Sequence, residues 1–281
     1  MSIDFLYTDP SPTASPSAST PAVTIVSGGE TLPGVLHIPA GPGPHPVVVL
    51  LHGFPGIERN FDLAHALRRA GYAALVFHYR GSWGTGGVWS WGNVLGDALR
   101  VVAAVGEDRL WATHRLDPRR VAVVGHSLGG FAALMTAAVA PGVRAVVSVA
   151  GFDFGAVAAA LRADPRMRKS LVQAWDEELL ALRGTSGEAL VAEMEAADEA
   201  WRLDQLAPRL ADRPVLLVGT ARDPVTPAAT HHLPLVEAYR AYPLDCLEHR
   251  LFPTDHALSD HRVALARTVA EFLDRHLAPL P

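Results

Sequence analysis

The chain has 281 residues, 49% of them hydrophobic and 19% charged, with a formal net charge of −5. This apolar content supplies a buried core and excludes general disorder, and the length suits one α/β domain carrying an insertion. No block of lysines or arginines occurs, so no basic patch is available to neutralise nucleic acid or an anionic membrane, and neither partner is expected.

Cys246 is the single cysteine, which excludes an internal disulfide and fits a reducing compartment. The N-terminus has no basic segment followed by an apolar one, and the longest apolar runs, 47–51 and 145–149, are strand-sized. No signal peptide or membrane-spanning helix is expected, and a cytoplasmic location is the default.

In chain order, residues 10–21 are mostly Ser, Pro, Ala and Thr, so 1–21 reads as a flexible tail. Segments 22–26 and 34–38 read as short strands around a Ser27-Gly28-Gly29 turn. Segment 47–52 is a continuous Val/Leu run, the pattern of a strand buried on both faces. A helix is predicted at 60–70, closed by Gly71. There follow a strand at 72–79, a helix at 94–105, a strand at 120–124, a helix at 128–140 and a strand at 144–149. Further on come strands at 214–219 and 247–252 and a last helix at 261–277. Strands alternating with helices imply right-handed crossovers and a doubly wound, mainly parallel sheet. Residues 152–210 break the rhythm with helical patterns at 156–162, 168–182 and 188–200. They read as a helical cap inserted into a core made of 22–151 and 211–281, the alternative being an ordinary long crossover on the sheet face.

The chemistry centres on Gly125-His126-Ser127-Leu128-Gly129, a G-x-S-x-G pattern between a predicted strand and a predicted helix. A serine on so sharp a turn needs small neighbours two residues away, and the turn aims the helix N-terminus at a developing oxyanion. Serine needs an adjacent base to act as a nucleophile. Among thirteen histidines, His256 follows the last predicted strand, at the sheet edge where such folds gather functional groups. His126 is read as structural, and His249 and His261 are lesser competitors. Asp223, just past the strand at 214–219, gives the order Ser, Asp, His. Asp255 adjoins His256 but would rarely reach the inner ring nitrogen of its neighbour. The loop His52-Gly53-Phe54-Pro55-Gly56 is placed to donate an oxyanion N–H from Phe54, with Leu128 donating the second.

These motifs, together with Tyr79-Arg80-Gly81-Ser82-Trp83-Gly84 and Gly130, make the chain from about Val23 onward resemble the α/β-hydrolase superfamily. Within it the sequence is similar to cinnamoyl-esterase-like and dipeptidyl-aminopeptidase/acylaminoacyl-peptidase-like hydrolases. The resemblance implies an α/β-hydrolase fold and hydrolysis of carboxylic esters, or of amides, without a cofactor. True oligopeptidases carry a large N-terminal propeller, whereas a short tail precedes the fold here, which weighs against peptidase activity. Trp83 and Trp89, in a Gly-rich loop with Val88 and Trp91, are candidate substrate contacts. Phe152, Phe154, Trp175 and Leu179 are expected on the inward face of the cap. His231-His232 lacks the carboxylate or cysteine neighbours of a metal site, so no metal is expected. The partner is a small-molecule ester, and the chain is read as a monomer or a homodimer.

Overall fold

In a computed structural model, which describes residues 3–11 and 13–277, eight strands form one sheet. They are β1 (Ala22–Ser27), β2 (Glu30–His37), β3 (His45–Leu51), β4 (Ala73–Phe77), β5 (Leu116–His126), β6 (Val143–Val149), β7 (Val215–Thr220) and β8 (Leu247–Phe252). The order across the sheet is β1-β2-β4-β3-β5-β6-β7-β8. The pairs β1/β2 and β2/β4 are antiparallel, and every pair from β4 to β8 is parallel. The residues dictate the difference. β1 alternates exposed and buried positions, whereas β4 and β7 are buried throughout, as required of strands covered by helices on both faces.

The helices are α1 (Phe61–Arg69), α2 (Trp91–Val105), α3 (Asp108–His114), α4 (Leu128–Ala137), α5 (Phe154–Ala163), α6 (Met167–Glu177), α7 (Gly187–Ala197), α8 (Ala228–His231), α9 (Leu233–Arg240) and α10 (Arg262–His276). Leu63 and Leu67 of α1 and Val269 and Leu273 of α10 pack with Val48, Val124 and Val147 on one face of the sheet. Val94 and Val101 of α2 and Phe131 and Leu134 of α4 pack with Val47, Val123 and Val146 on the other. Alternate residues of each strand therefore feed two separate cores, the physical meaning of a doubly wound sheet. Among the described residues no helix is long and apolar enough to cross a membrane.

The connection between β6 and β7 carries α5, α6, α7 and three 3-10 segments, Leu179–Ala181, Asp198–Trp201 and Leu203–Arg209. Asp153 and Ser186 cap α5 and α7 by accepting from Ala156 N–H and Ala189 N–H, the usual satisfaction of orphan donors at a helix start. Trp175, Leu190, Met194 and Trp201 belong to the same apolar cluster as α2 and α4, so this segment packs directly on that face of the core. Backbone bonds also stitch it to the loop after β4: Trp83 N–H to Ala181 O at 3.0 Å, Arg183 N–H to Gly81 O at 2.8 Å and Trp89 N–H to Arg183 O at 2.9 Å. At the other end of the chain, Phe5 and Leu6 pack against the α1/α10 core and Ser19 bridges Ile38. Of the segment read as a flexible tail, Phe5, Leu6 and Ser19 thus touch the rest of the fold, while Tyr7 and most of the described residues after it are exposed.

One buried polar knot ties three of these elements together. Asp97 of α2, wholly buried, accepts from Ser27 Oγ at 2.6 Å, from Arg80 N–H at 2.8 Å and from Arg80 Nε at 2.7 Å. Removing one partner of such a pair leaves the other charge without compensation. Asp97→Ala should therefore cost about 3 kcal/mol or more in urea unfolding. A loss below about 1 kcal/mol, the range of an exposed pair, would show that the knot is dispensable.

Candidate active site

Ser127 occupies the single residue between β5 and α4, with φ 59° and ψ −122°. Side chains avoid this backbone region, and residues are held in it where surrounding structure over-determines them. Here the constraint is steric room for the turn. A Cβ on Gly125 would lie 1.8 Å from Gly129 O, and one on Gly129 would lie 1.9 Å from Leu51 O. The two glycines let the helix close onto β5 and β3 with the serine at the apex. Hydrogen bonds from Ser127 N–H to Val149 O (2.9 Å) and from Gly130 N–H to Ser127 O (2.8 Å) hold the turn.

Asp223 lies three residues past β7 and His256 four past β8, and the structure brings them together. His256 Nδ1–H donates to Asp223 Oδ2 at 2.7 Å. The carboxylate also accepts from the hydroxyls of Thr220 (2.7 Å) and Thr226 (2.6 Å) and from the backbone N–H groups of Val225 (2.8 Å) and Thr226 (2.9 Å). Burial by itself raises the Asp223 carboxyl, but the bonds from His256, Thr226 and Thr220 outweigh it and hold the group well below the usual carboxylate range. Thr226, whose hydroxyl is also 3.3 Å from His256 Nδ1, was not singled out from sequence; its place three residues after Asp223 in a turn was the available signal. Asp255, by contrast, caps Ser259 N–H at the surface. His261 bonds Asp260, and His249 on β8 pairs with Arg240.

His126, read as structural, turns out to touch the site from behind. Its Nε2–H donates to His256 O at 2.8 Å, and the two rings stand 4.8 Å apart. Burial pushes His126 down to about 4, so the ring is a neutral donor. His231, also pushed by burial to about 4, accepts from Asp153 N–H at 3.0 Å and stacks on Phe152. His52, at the start of the oxyanion loop, is pushed by burial to about 3 and bonds Gly53 O.

Ser127 and His256 line one cavity of about 430 Å³, and Phe54 and Leu128 line it with them. Leu128 is the first residue of α4, so its N–H is among the donors that a helix leaves without an internal partner. Phe152, Phe154 and Trp175 reach the cavity as expected, joined by Trp91, Leu171, Ala174, Glu178, Pro224 and Val225. One of the aromatic expectations needs correction. Trp89 is 1% exposed and packs edge-on against Tyr79 and Trp91 inside the core; its indole is core filling, and its neighbour Trp91 faces the cavity instead. Trp83 lies outside this cavity, lining a second opening beside it. Leu179 packs against the core cluster, and the wall it was expected to form is built by Leu171 and Ala174 one to two turns earlier. Cys246, Glu248 and His276 have ligand atoms within 4.8 Å of one another. They sit between β8 and α10, away from the cavity, and Glu248 is already paired with Arg275 at 2.7 Å.

A polarised histidine that shares a cavity with a serine on a strained turn, with a helix N-terminus behind the serine, can carry out proton abstraction and oxyanion stabilisation. Comparison with known proteins leads the same way. The family model described as "alpha/beta hydrolase fold" matches residues 46–203, more than half of the chain. The chain belongs to the α/β-hydrolase fold family. A curated relative, 2,6-dihydropseudooxynicotine hydrolase of Paenarthrobacter nicotinovorans, is 32% identical over 149 residues, covering 53% of this chain and 39% of that protein. Hydrolase LUC6 of a Fusarium species is 39% identical over 145 residues, 44% of this chain and 31% of that one. The matches thus span well under half the length of these curated relatives. Among solved structures, Est1E of Butyrivibrio proteoclasticus superposes with TM-score 0.67 over 92% of this chain and 99% of its own, at 20% identity. A Pyrococcus furiosus esterase superposes with TM-score 0.67 over 93% of both chains at 16% identity. At these identities the structural likeness is one of fold.

The buried histidines make this α/β-hydrolase-fold protein acid-sensitive. Groups held near 4 or below in the fold, against about 6.5 unfolded, take up protons first in the unfolded chain. Their contribution is complete above about 6.5 and is lost as pH falls toward 4. His52 and His126 alone should each remove on the order of 1–2 kcal/mol between pH 7.5 and pH 5. Urea unfolding at the two pH values checks this, and equal stability at both would contradict the neutral, buried state of these rings.

Proposed function

We propose that this α/β-hydrolase-fold protein is a serine esterase that cleaves carboxylic esters of small to medium size through an acyl-enzyme on Ser127. The observation that carries the reading is the 2.7 Å bond between His256 Nδ1 and Asp223 Oδ2, with His256 and Ser127 facing one cavity. Because Nδ1 holds its proton toward the carboxylate, the Nε2 lone pair is the free base.

In the proposed cycle His256 Nε2 takes the Ser127 hydroxyl proton as Oγ attacks the ester carbonyl carbon. The carbonyl oxygen becomes an oxyanion, stabilised by the N–H groups of Phe54 and Leu128 and by the N-terminus of α4. The tetrahedral species collapses by breaking the bond to the alkoxy oxygen, which receives the proton from His256 and leaves as the alcohol. Water then donates a proton to His256, attacks the acyl carbon and releases the acid, and the same proton returns to Ser127. Asp223 remains ionised throughout, orienting the ring and offsetting its transient charge. Its dense hydrogen bonding is consistent with that role. The apolar walls from Phe152, Phe154 and Trp175 suit an apolar acyl group, and the esterases among the structural neighbours are in keeping with ester chemistry.

Ser127→Ala should abolish turnover of p-nitrophenyl esters and labelling by a fluorophosphonate probe, while circular dichroism stays that of the wild type. Asp223→Asn should lower kcat by on the order of ten-thousandfold, the size known from the best-studied triad, and Asp255→Asn by far less. The reverse ranking of the two aspartates, or retained activity in the Ser127 variant, would sink the assignment.

A further inference from the structure

Beside the cavity that holds Ser127 lies a second opening of about 530 Å³, walled on one side by the oxyanion loop and on the other by the end of α6 and the 3-10 turn after it. The two adjoin. Glu178 lines both, and Pro55 lines the second while its neighbour Phe54 lines the first.

The direction of this extension can be read from the chemistry proposed above. The leaving alcohol must receive its proton from His256, so it departs on the side of Pro224, Val225 and His256. None of the residues lining the second opening comes from that side; they come from 55–57, 83–84 and 177–183. A group that passes from the cavity into this groove is therefore on the acyl side of the scissile bond.

The groove itself is built at a conformational cost. Trp83 has φ 49°, in the left-handed region that strains a bulky residue. It stays 40% exposed, and its indole N–H donates to Pro55 O at 2.8 Å. Strain of this kind persists where a site needs it. Ile57 and Leu180, 69% and 102% exposed, face the same opening. Glu177 and Glu178 outnumber the cation Arg183 there, which favours a neutral chain over one ending in a carboxylate.

We infer that this groove receives the far end of a long, neutral acyl chain, whose near end fills the aromatic cavity at Ser127. The inference rests on the esterase reading. It widens the substrate class from small esters to those of long-chain acids and makes Trp83, Ile57 and Leu180 determinants of chain-length preference. Exposed apolar side chains at the groove gain from covering an acyl chain that water would otherwise solvate, an advantage absent for acetate.

The test is the ratio of kcat/KM for p-nitrophenyl dodecanoate to that for the acetate, with both substrates below their aggregation limits. In Ile57→Gln/Leu180→Gln this ratio should fall about tenfold relative to wild type. Both side chains project into solvent, so the thermal midpoint should stay at the wild-type value. Val139→Gln, at an exposed apolar position that does not line the groove, should leave the ratio as it was. An unchanged ratio in the double variant, an equal fall in the Val139 variant, or a wild type that turns over acetate and rejects dodecanoate would overturn the groove while leaving the esterase reading intact. A wild type that hydrolyses neither ester would overturn both.

Discussion

The strained turn at Ser127 is the constraint on which the rest of the site depends. A residue at φ 59° and ψ −122° has to be forced there by its surroundings, and the force is the closure of α4 onto β5 and β3. Gly125 and Gly129 are the only side chains that permit this closure, since a Cβ at either would fall within 2 Å of a backbone carbonyl oxygen. Once the turn exists, α4 begins directly after the serine and Gly53 of the loop after β3 lies close against it. The parallel sheet then does the positioning, because β5, β7 and β8 run the same way and their C-terminal ends deliver Ser127, Asp223 and His256 to one edge.

Electrostatics separates the two ionisable partners at that edge. Asp223 is buried, yet it receives enough donors to stay ionised. The histidines around it, His52, His126 and His231, are pushed by burial to about 3 or 4. They serve as neutral hydrogen-bonding rings at working pH. His126 also holds the His256 backbone through its carbonyl. The site therefore contains one concentrated negative charge aimed at one ring, without cationic neighbours of that ring from the other histidines.

Much of this was legible in the sequence, for identifiable reasons. The buried strands were visible because a continuous Val- and Leu-rich run of strand length, such as 47–51, is the pattern of a strand covered on both faces, and β8 matches its predicted bounds of 247–252. The serine turn was visible because its steric demand leaves a glycine signature. The short helices α3, α8 and α9 went unread: α3 has seven residues and α8 four, too few to develop a periodic apolar face. The tryptophans were the poorest guide. Trp83 and Trp89 in the Gly-rich loop and Trp91 at the start of α2 are neighbours in sequence, yet one is 40% exposed, one is core and one faces the cavity. The backbone bonds to residues 181–183 and the indole bonds of Trp83 to Pro55 O and of Trp91 to Leu190 O hold them in place, and those are long-range contacts that local pattern does not encode. Thr226 was missed for a related reason, since beyond its local bond to Asp223 its hydroxyl lies near His256, thirty residues away in the chain.

The account stands on a covalent acyl group carried by Ser127, and rapid-quench peptide mass spectrometry during turnover of p-nitrophenyl acetate reads that species directly. The account predicts an acetyl adduct on the peptide containing Ser127, formed in the burst of p-nitrophenol release and lost as substrate is consumed. Turnover with the adduct on another residue, or a burst with no adduct on the Ser127 peptide, would contradict it.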